Sequence, residues 1–387
     1  PAGRTQPIAA PENTASGTSD ATVDLLVHLA LPSLARAVGG QGAAAARAAY
    51  AATVAAAQER IAGEVAAQGG KVIYRFSTLS SALAVQTPAH TVSTLAGIAG
   101  VSQVTRVGDY GLNLGAVAAN AGVAPLPEVE ATGAGVSVAL LDSGIDYTHL
   151  AFGGPGVAAA WHDNYYGDDP ACDPAAAHDA DCAYARPPSP ALFGAAAPRV
   201  KGGFDYVGEA WAGPGDRLLP DPNPIDRFGH GTQMAAIIGG QGYPAGVNDG
   251  GPYPALPAGA APGVDLYAFK VCAAASTACS GLALLAALDD AADLDDLPAT
   301  HDPADIVTLA LSAAYGQPED SLTHLADEAS RFGMLVVAAA GNSGNRPFVV
   351  GSPAAGDGPL AVAETAAATA ARYPLTHAFA GYGGYIY

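Results

Sequence analysis

Residues 136–146 read Val136-Ser-Val-Ala-Leu-Leu-Asp142-Ser143-Gly144-Ile145-Asp146, an apolar run that ends in a polar turn. The run predicts a buried strand that carries an aspartate at its carboxyl end. Residues 266–271, 306–311 and 335–340 have the same apolar character. Because helical or loop segments separate these runs, the sequence predicts an α/β fold with a mostly parallel sheet and flanking helices. Taken alone, an Asp-Ser-Gly turn after a strand is more often turn chemistry than catalysis.

Two later segments also place polar side chains at the ends of predicted elements. Residues 226–237 contain Gly229-His230-Gly231-Thr232, which predicts a histidine at the start of a helix of small residues. Residues 336–344 predict a strand that ends at Asn342, whose amide could donate to a developing oxyanion. Since a parallel sheet gathers strand ends at one edge, Asp142, His230 and Asn342 are expected to lie together.

These motifs, in this order, resemble those of the subtilisin-like serine peptidases. That family's motifs run Asp-[Ser/Thr]-Gly, His-Gly-Thr, Ala-Gly-Asn-x-Gly and Gly-Thr-Ser-x-Ala, and the first three are present. The turns Gly259-Ala-Ala-Pro-Gly263 and Gly351-Ser-Pro-Ala354 are also similar to family segments. The resemblance extends over residues 133–354 and implies a subtilisin-like fold.

The resemblance also implies roles for individual residues. Asp142 would orient His230, His230 would be the general base, and Asn342 would stabilise the oxyanion. The strand that pairs with an extended substrate ends in Ser-Leu-Gly in the family and reads Ala310-Leu311-Ser312 here. Because glycine is used where a backbone approaches a ligand, the Ser312 side chain is expected to crowd the substrate. Protein or peptide substrates are the implied partners. No cofactor is required for catalysis, and a structural calcium ion is compatible with the resemblance but has no assigned ligands.

The nucleophile is the departure from the family pattern. No Gly-Thr-Ser-x-Ala segment follows Asn342, and Gly17-Thr18-Ser19 lies in the polar leader and is followed by Asp20. Three interpretations follow. The chain is a C-terminally incomplete piece of a secreted endopeptidase, a catalytically dead subtilase-like binding protein, or a folding aid or inhibitor that uses only its N-terminal part. The first is preferred, because a decayed enzyme is not expected to keep all three motifs. The chain as given is expected to be inactive.

The N-terminal part predicts a separate unit. Residues 1–20 predict a disordered leader, and residues 21–108 show the order βαββαβ, typical of an α+β ferredoxin-like arrangement. Because of its position, this unit resembles the family's inhibitor I9-type prodomain. Residues 109–127 predict a linker that crosses the substrate cleft along residues 310–312. Residues 128–387 are expected to form a subtilisin-like peptidase domain that is incomplete at its C-terminal end.

Charge and cysteine content restrict the partners and the compartment. The chain has 16 Lys plus Arg against 36 Asp plus Glu, a net charge of −20, which disfavours nucleic acid and anionic membranes as partners. Cys172 with Cys182 and Cys272 with Cys279 form two local pairs. Disulfides in a secreted protein are the simplest reading, and the alternatives are unpaired loop cysteines or a metal site that includes His178. No metal ligand is assigned.

Overall fold

The computed structural model describes residues 21–39, 42–112, 132–165, 187–248, 251–253, 255–274, 276, 278–297, 299–344 and 346–363. The predicted leader, most of the predicted linker, Cys172 and Cys182 lie outside these residues. None of the helices in the described ranges is long and apolar enough to cross a membrane.

Residues 21–108, the N-terminal unit, form one antiparallel sheet with helices on one face. Its strands are β1 (Thr22–Leu29), β2 (Lys71–Phe76), β3 (Ala82–Pro88) and β4 (Val101–Arg106). Its helices are α1 (Leu34–Ala37), α2 (Ala44–Ala67) and α3 (Val92–Ala96). The sheet order is β2-β3-β1-β4 with every neighbouring pair antiparallel. This is the order of the predicted ferredoxin-like arrangement.

Strand β1 is buried on both of its faces. Leu25 and Val27 belong to the same apolar cluster as Ile61 and Val65 of helix α2. Leu26, which points the other way because strand side chains alternate, belongs to the large cluster of the following unit. The two units therefore share a continuous apolar core.

The rest of the described chain, the C-terminal unit, is an α/β structure. Its strands are β5 (Tyr110–Leu112), β6 (Ser137–Asp142), β7 (Val200–Asp205), β8 (Gly246–Asn248), β9 (Gly251–Tyr253), β10 (Asp265–Lys270), β11 (Ala278–Cys279), β12 (Ile306–Leu309), β13 (Leu311–Ser312), β14 (Leu335–Ala339) and β15 (Leu360–Val362). Its helices are α4 (Ala158–Tyr165), α5 (His230–Gly239), α6 (Gly281–Asp290) and α7 (Ser321–Phe332). Six strands form a parallel sheet in the order β15-β14-β12-β6-β10-β7. The predicted α/β fold with a mostly parallel sheet and flanking helices is thus confirmed.

The strand predicted over residues 306–311 is interrupted at Ala310. Strand β12 ends at Leu309 within the parallel sheet, and β13 begins at Leu311 in a different sheet, of three strands in the order β11-β5-β13. Both strands are buried, so the apolar pattern runs through both of them. The pattern therefore does not show where the chain leaves the parallel sheet and joins the three-stranded sheet.

Helices α6 and α7 begin at side-chain caps. The Ser280 hydroxyl accepts from the Ala283 amide at the start of α6. The Asp320 carboxylate accepts from the amides of Leu322 and Thr323 at the start of α7. These caps satisfy amides that have no partner inside the helix, and they fix where each helix begins.

Candidate active site

Asp142 and His230 form a buried pair at the carboxyl edge of the parallel sheet. Asp142 is the last residue of β6, and His230 is the first residue of α5. The Nδ1 atom of His230 lies 2.8 Å from Oδ1 and 2.9 Å from Oδ2 of Asp142. The exposed fraction is only 4% for His230 and 2% for Asp142. A buried carboxylate at this distance fixes the tautomer and orientation of the imidazole.

The pair depends on close backbone contact between the two motifs. A Cβ atom on Gly231 would lie 2.1 Å from the carbonyl oxygen of Gly144, so only glycine allows this approach. The Gly231 amide donates to the Ser143 hydroxyl at 2.9 Å. The Ser143 amide donates to Oδ1 of Asp142 at 2.6 Å, which leaves that carboxylate firmly held.

Asp226, which was not among the predicted site residues, holds the loop that carries His230. Its Oδ1 atom accepts from the amides of Phe228 and Gly229, and its Oδ2 atom accepts from the amide and hydroxyl of Thr232. Burial raises the pKa of Asp226, against the effect of these hydrogen bonds. Its position four residues before His230 is typical of an aspartate that closes a turn, which is the signal that could have identified it.

Asn342 lies at the same edge of the sheet. It follows β14, is exposed, and is preceded by Gly341 with φ at +107°. A Cβ atom on Gly341 would lie 3.2 Å from the Ser312 hydroxyl oxygen, and one on Gly351 would lie 2.8 Å from Ser312 Cβ. The Ser312 side chain therefore lies against two glycines, whose lack of a side chain leaves room for it. That Ser312 crowds a bound substrate stays a prediction.

Strand β13, which includes the predicted substrate-binding residues Leu311 and Ser312, pairs with a segment of the same chain. Leu311 is opposite Leu112, and Ser312 is opposite Gly111, in antiparallel register. The other edge of β5 pairs antiparallel with β11. The space between β11 and β13, which we call the peptide groove, therefore holds a short extended peptide. Ala310 immediately precedes β13.

A disulfide lies beside the peptide groove. Cys272 and Cys279 are joined, and Cys279 is the second residue of β11. Both residues are fully buried. The bond closes the loop that carries one wall of the groove.

The N-terminal unit contacts α6 through a buried carboxylate. Both oxygens of Asp289 accept from backbone amides, at 2.6 to 3.2 Å, of the four consecutive residues Ser77, Thr78, Leu79 and Ser80. Asp289 is 3% exposed. Burial raises the pKa of Asp289, and the four backbone hydrogen bonds act against this rise. Because a carboxylate with several backbone donors is a strong acceptor in a buried place, this contact fixes the N-terminal unit on the helix.

The segment between β4 and β5 crosses the first turn of α6. A Cβ atom on Gly281 would lie 2.0 Å from the carbonyl oxygen of Gly108. Oδ1 of Asp109 accepts from the Gly281 amide at 3.2 Å, and burial raises the pKa of Asp109 to about 6. These contacts with the start of α6 position residues 108 and 109 immediately before β5, which lies in the peptide groove.

Among the described residues, one group of carboxylates has a spacing that would suit a metal ion. Asp293, Asp295 and Asp302 offer oxygens that all lie within 4.8 Å of one another. Exposed acidic residues often cluster without an ion, so this group does not assign a calcium site.

The family model of the peptidase S8, or subtilase, family matches residues 133–378. A subtilisin-like protease of Arabidopsis thaliana, SBT3.9, is 38% identical over 124 residues, which are 32% of this chain and 15% of that protein. The match thus spans a small part of that relative's length.

Two solved structures are reported as similar to this chain. Sphericase is 23% identical, with 59% of this chain and 53% of that chain covered and a TM-score of 0.33. The epidermin leader peptide processing serine protease of Staphylococcus aureus is 12% identical, with 88% and 69% covered and a TM-score of 0.47.

Proposed function

This chain belongs to the subtilase family, and from that membership we propose that it carries the base and oxyanion parts of a serine endopeptidase active site. In this proposal Asp142 fixes the tautomer of His230, His230 is the general base, and Asn342 donates to the oxyanion. The buried pair at 2.8 and 2.9 Å carries the proposal, because a serine hydroxyl needs such an imidazole to become a nucleophile.

Protein or peptide substrates would bind in the peptide groove. The support is that the backbone of β5 already pairs there with β11 and β13, as an incoming extended peptide would. We propose an oxidising, extracellular compartment, which the disulfide between Cys272 and Cys279 supports.

The N-terminal unit would be an intramolecular prodomain of the inhibitor I9 type. Two contacts support this role: the amides of residues 77–80 bind Asp289, and β5, which follows the unit directly, fills the peptide groove. A unit that binds outside the groove and sends its tail through it would both support the fold and exclude substrates.

Hydrolysis by this chain is not expected. The sequence contains no Gly-Thr-Ser-x-Ala segment after Asn342, and its last serine is Ser352. The Ser352 hydroxyl is hydrogen bonded to Thr323 and Asp320, and Ser352 is 1% exposed. Without an activated nucleophile no acyl-enzyme forms, so a peptide that displaced β5 from the groove would not be cleaved.

The test uses a serine-directed fluorophosphonate on two proteins. This chain should not be labelled, and stoichiometric labelling at any residue would contradict the proposal. The second protein is the product of the same gene read past the codon for Tyr387. If that product carries a serine segment, it should be labelled, and His230→Ala should abolish the labelling. His324→Ala, which removes an exposed histidine of α7, is the matched control and should leave labelling unchanged.

A second candidate is a catalytically inactive, peptide-binding member of the family. The filled peptide groove favours it, since β11 and β13 bind an extended segment without any contribution from a nucleophile. Peptide binding by the longer product, without labelling, would support this candidate over the endopeptidase.

A further inference from the structure

The peptide groove contains a pocket for an aromatic side chain. Tyr110, the first residue of β5, is 3% exposed and belongs to the same apolar cluster as Leu282 and Leu311. Its hydroxyl donates to Oδ1 of Asp320 at 2.7 Å. The pocket is therefore apolar around the ring, and at its far end the phenol meets the Asp320 carboxylate and the Ser352 hydroxyl.

That acceptor is held in place by other groups of the C-terminal unit. Asp320 caps α7 by accepting from the amides of Leu322 and Thr323, at 2.9 and 3.2 Å. It also accepts from the Ser352 hydroxyl at 2.9 Å, and Ser352 is hydrogen bonded to the buried Thr323 hydroxyl. Ser352 also contacts the Tyr110 phenol, but the two amide contacts of the α7 cap do not depend on Tyr110. The cap would therefore keep the carboxylate in position when another segment occupies the groove.

The chemistry of the pocket distinguishes a phenol from a phenyl ring. Burial, together with the neighbouring Asp320 carboxylate, raises the pKa of Tyr110, so its hydroxyl stays protonated and donates. A phenylalanine would fill the same space but give Asp320 no hydrogen bond. Sites that hydrogen bond a substrate hydroxyl discriminate strongly against the analogue that lacks it, because the polar group of the site loses its partner.

We propose that Asp320 is a specificity-determining residue, and that the peptide groove selects extended peptides with tyrosine at the position that Tyr110 occupies. The inference rests on the proposed function, since it assumes that substrates bind where β5 binds. The following position is less restricted. A Cβ atom on Gly111 would lie 3.9 Å from the Ser312 carbonyl oxygen, an ordinary contact, so small side chains are accommodated there.

The test uses the full chain with the groove opened by Tyr110→Gly and Gly111→Pro. The first change removes the side chain from the pocket, and the second removes a backbone donor from β5. Two probes, acetyl-Asp-Tyr-Gly-Leu-amide and its phenylalanine counterpart, differ by one hydroxyl. They are titrated to millimolar concentration by calorimetry, and thermal unfolding shows that the variant is folded. The tyrosine peptide should bind at least about tenfold more tightly, because a hydrogen bond to a charged group is strong enough for such a difference.

Adding Asp320→Ser identifies the residue responsible. Serine keeps a cap for α7 but is too short to reach the phenol, so the ratio of the two affinities should fall to about one. Equal binding of both peptides before this change would overturn the inference and leave the proposed function standing. Binding of neither peptide would overturn both. A tenfold ratio that persists with Asp320→Ser would show that another group selects tyrosine.

A second measurement does not require the groove to open. In the otherwise unchanged chain, Tyr110→Phe should lower the folding equilibrium constant by about tenfold or more. In the Asp320→Ser background the same change should lower it by much less, since the acceptor is gone. Equal effects in both backgrounds would overturn the inference.

Discussion

Gly231 faces Gly144 so closely that a Cβ atom at residue 231 would lie 2.1 Å from the Gly144 carbonyl oxygen and 3.1 Å from Oδ1 of Asp142. Gly231→Ala should therefore push the start of α5 away from β6 and disturb the pair of His230 with Asp142. We expect a loss of about 1–3 kcal/mol in the free energy of unfolding, as for other overpacked sites. Thermal or urea unfolding measures it.

The matched control for this substitution is Gly63→Ala in the interior of α2. A Cβ atom there meets nothing within 4 Å. Because alanine favours helix more than glycine does, this variant should gain about 0.5–1 kcal/mol. A neutral Gly231→Ala would show that the two motifs are less tightly packed than described.

Asp289→Asn should weaken the contact between the N-terminal unit and α6. In asparagine, an NH2 group replaces one of the two carboxylate oxygens. This group donates and cannot accept, so the two backbone amides that bind that oxygen lose their partner. We expect a loss of about 3 kcal/mol or more. Hydrogen exchange at the amides of residues 77–80 should accelerate.

Arg36→Gln removes another contact between the two units, and its effect can be compared with that of Asp289→Asn. Arg36 pairs with Glu328 at 2.7 Å, but the Arg36 side chain is 55% exposed. Glu328 is only 8% exposed, but it keeps a second ion pair, with Arg331, when Arg36 is replaced. We therefore expect a loss of about 1 kcal/mol, a smaller effect on unfolding and exchange than that of Asp289→Asn. The reverse order would mean that the ion pair, not Asp289, dominates the contact.

Asp146 should make stability depend on pH. Burial raises the pKa of Asp146 to about 6, above the 3.8 that is ordinary for an aspartate. The folded state therefore holds a proton that the unfolded state has lost, and the free energy of unfolding should fall as pH rises from about 4 to about 6. Between about pH 4 and about pH 6, Asp146→Asn should reduce the change in the free energy of unfolding by up to about 3 kcal/mol.

The asparagine at residue 146 imitates the protonated aspartate, since its oxygen can accept from the amide and hydroxyl of Thr148 as Asp146 does. Asp357→Asn, at an exposed position, is the control and should leave the slope unchanged. Unfolding curves at several pH values between 4 and 8 provide the measurement. An unchanged slope in Asp146→Asn would assign the pH dependence to other carboxylates.

Removal of the disulfide should loosen one wall of the peptide groove. Cys272 and Cys279 are seven residues apart, and closing a loop of this size contributes about 2–3 kcal/mol in the chain-entropy account. The double variant Cys272→Ala and Cys279→Ala should lose about this amount. Amide exchange in β5 should accelerate, while exchange in α2, whose apolar cluster contains neither cysteine, should change only with global stability.

The sequence predicts the site better than the elements around it. The motifs of Asp142 and His230 are local, so a strand end and a helix start are visible in a few residues. Strand β7 is not visible, because Gly202 and Gly203 interrupt its apolar pattern. A Cβ atom on Gly203 would lie 1.9 Å from the Ala268 carbonyl oxygen, so the glycine is required by a neighbour distant in sequence.

Contacts between the two units are similarly hidden. Asp289 is one acid in an acidic segment, and only the folded chain shows that it receives four amides from the loop after β2. The pairing of Asp320 with Tyr110 joins residues 210 positions apart. Such long-range partners depend on the relative position of whole units, which local patterns do not encode.

The occupant of the peptide groove is tethered to the protein that it fills. Only residues 107–109 separate β4 from β5, and the unit before them is itself fixed on α6. A short tether of this kind gives an effective concentration in the millimolar range or above, which dilution of the protein does not change. A free peptide of equal intrinsic affinity would have to reach that concentration to displace half of β5. A peptide therefore displaces β5 only if its concentration exceeds this effective concentration or if it binds the groove far more tightly than β5 does. Other peptides do not enter the groove.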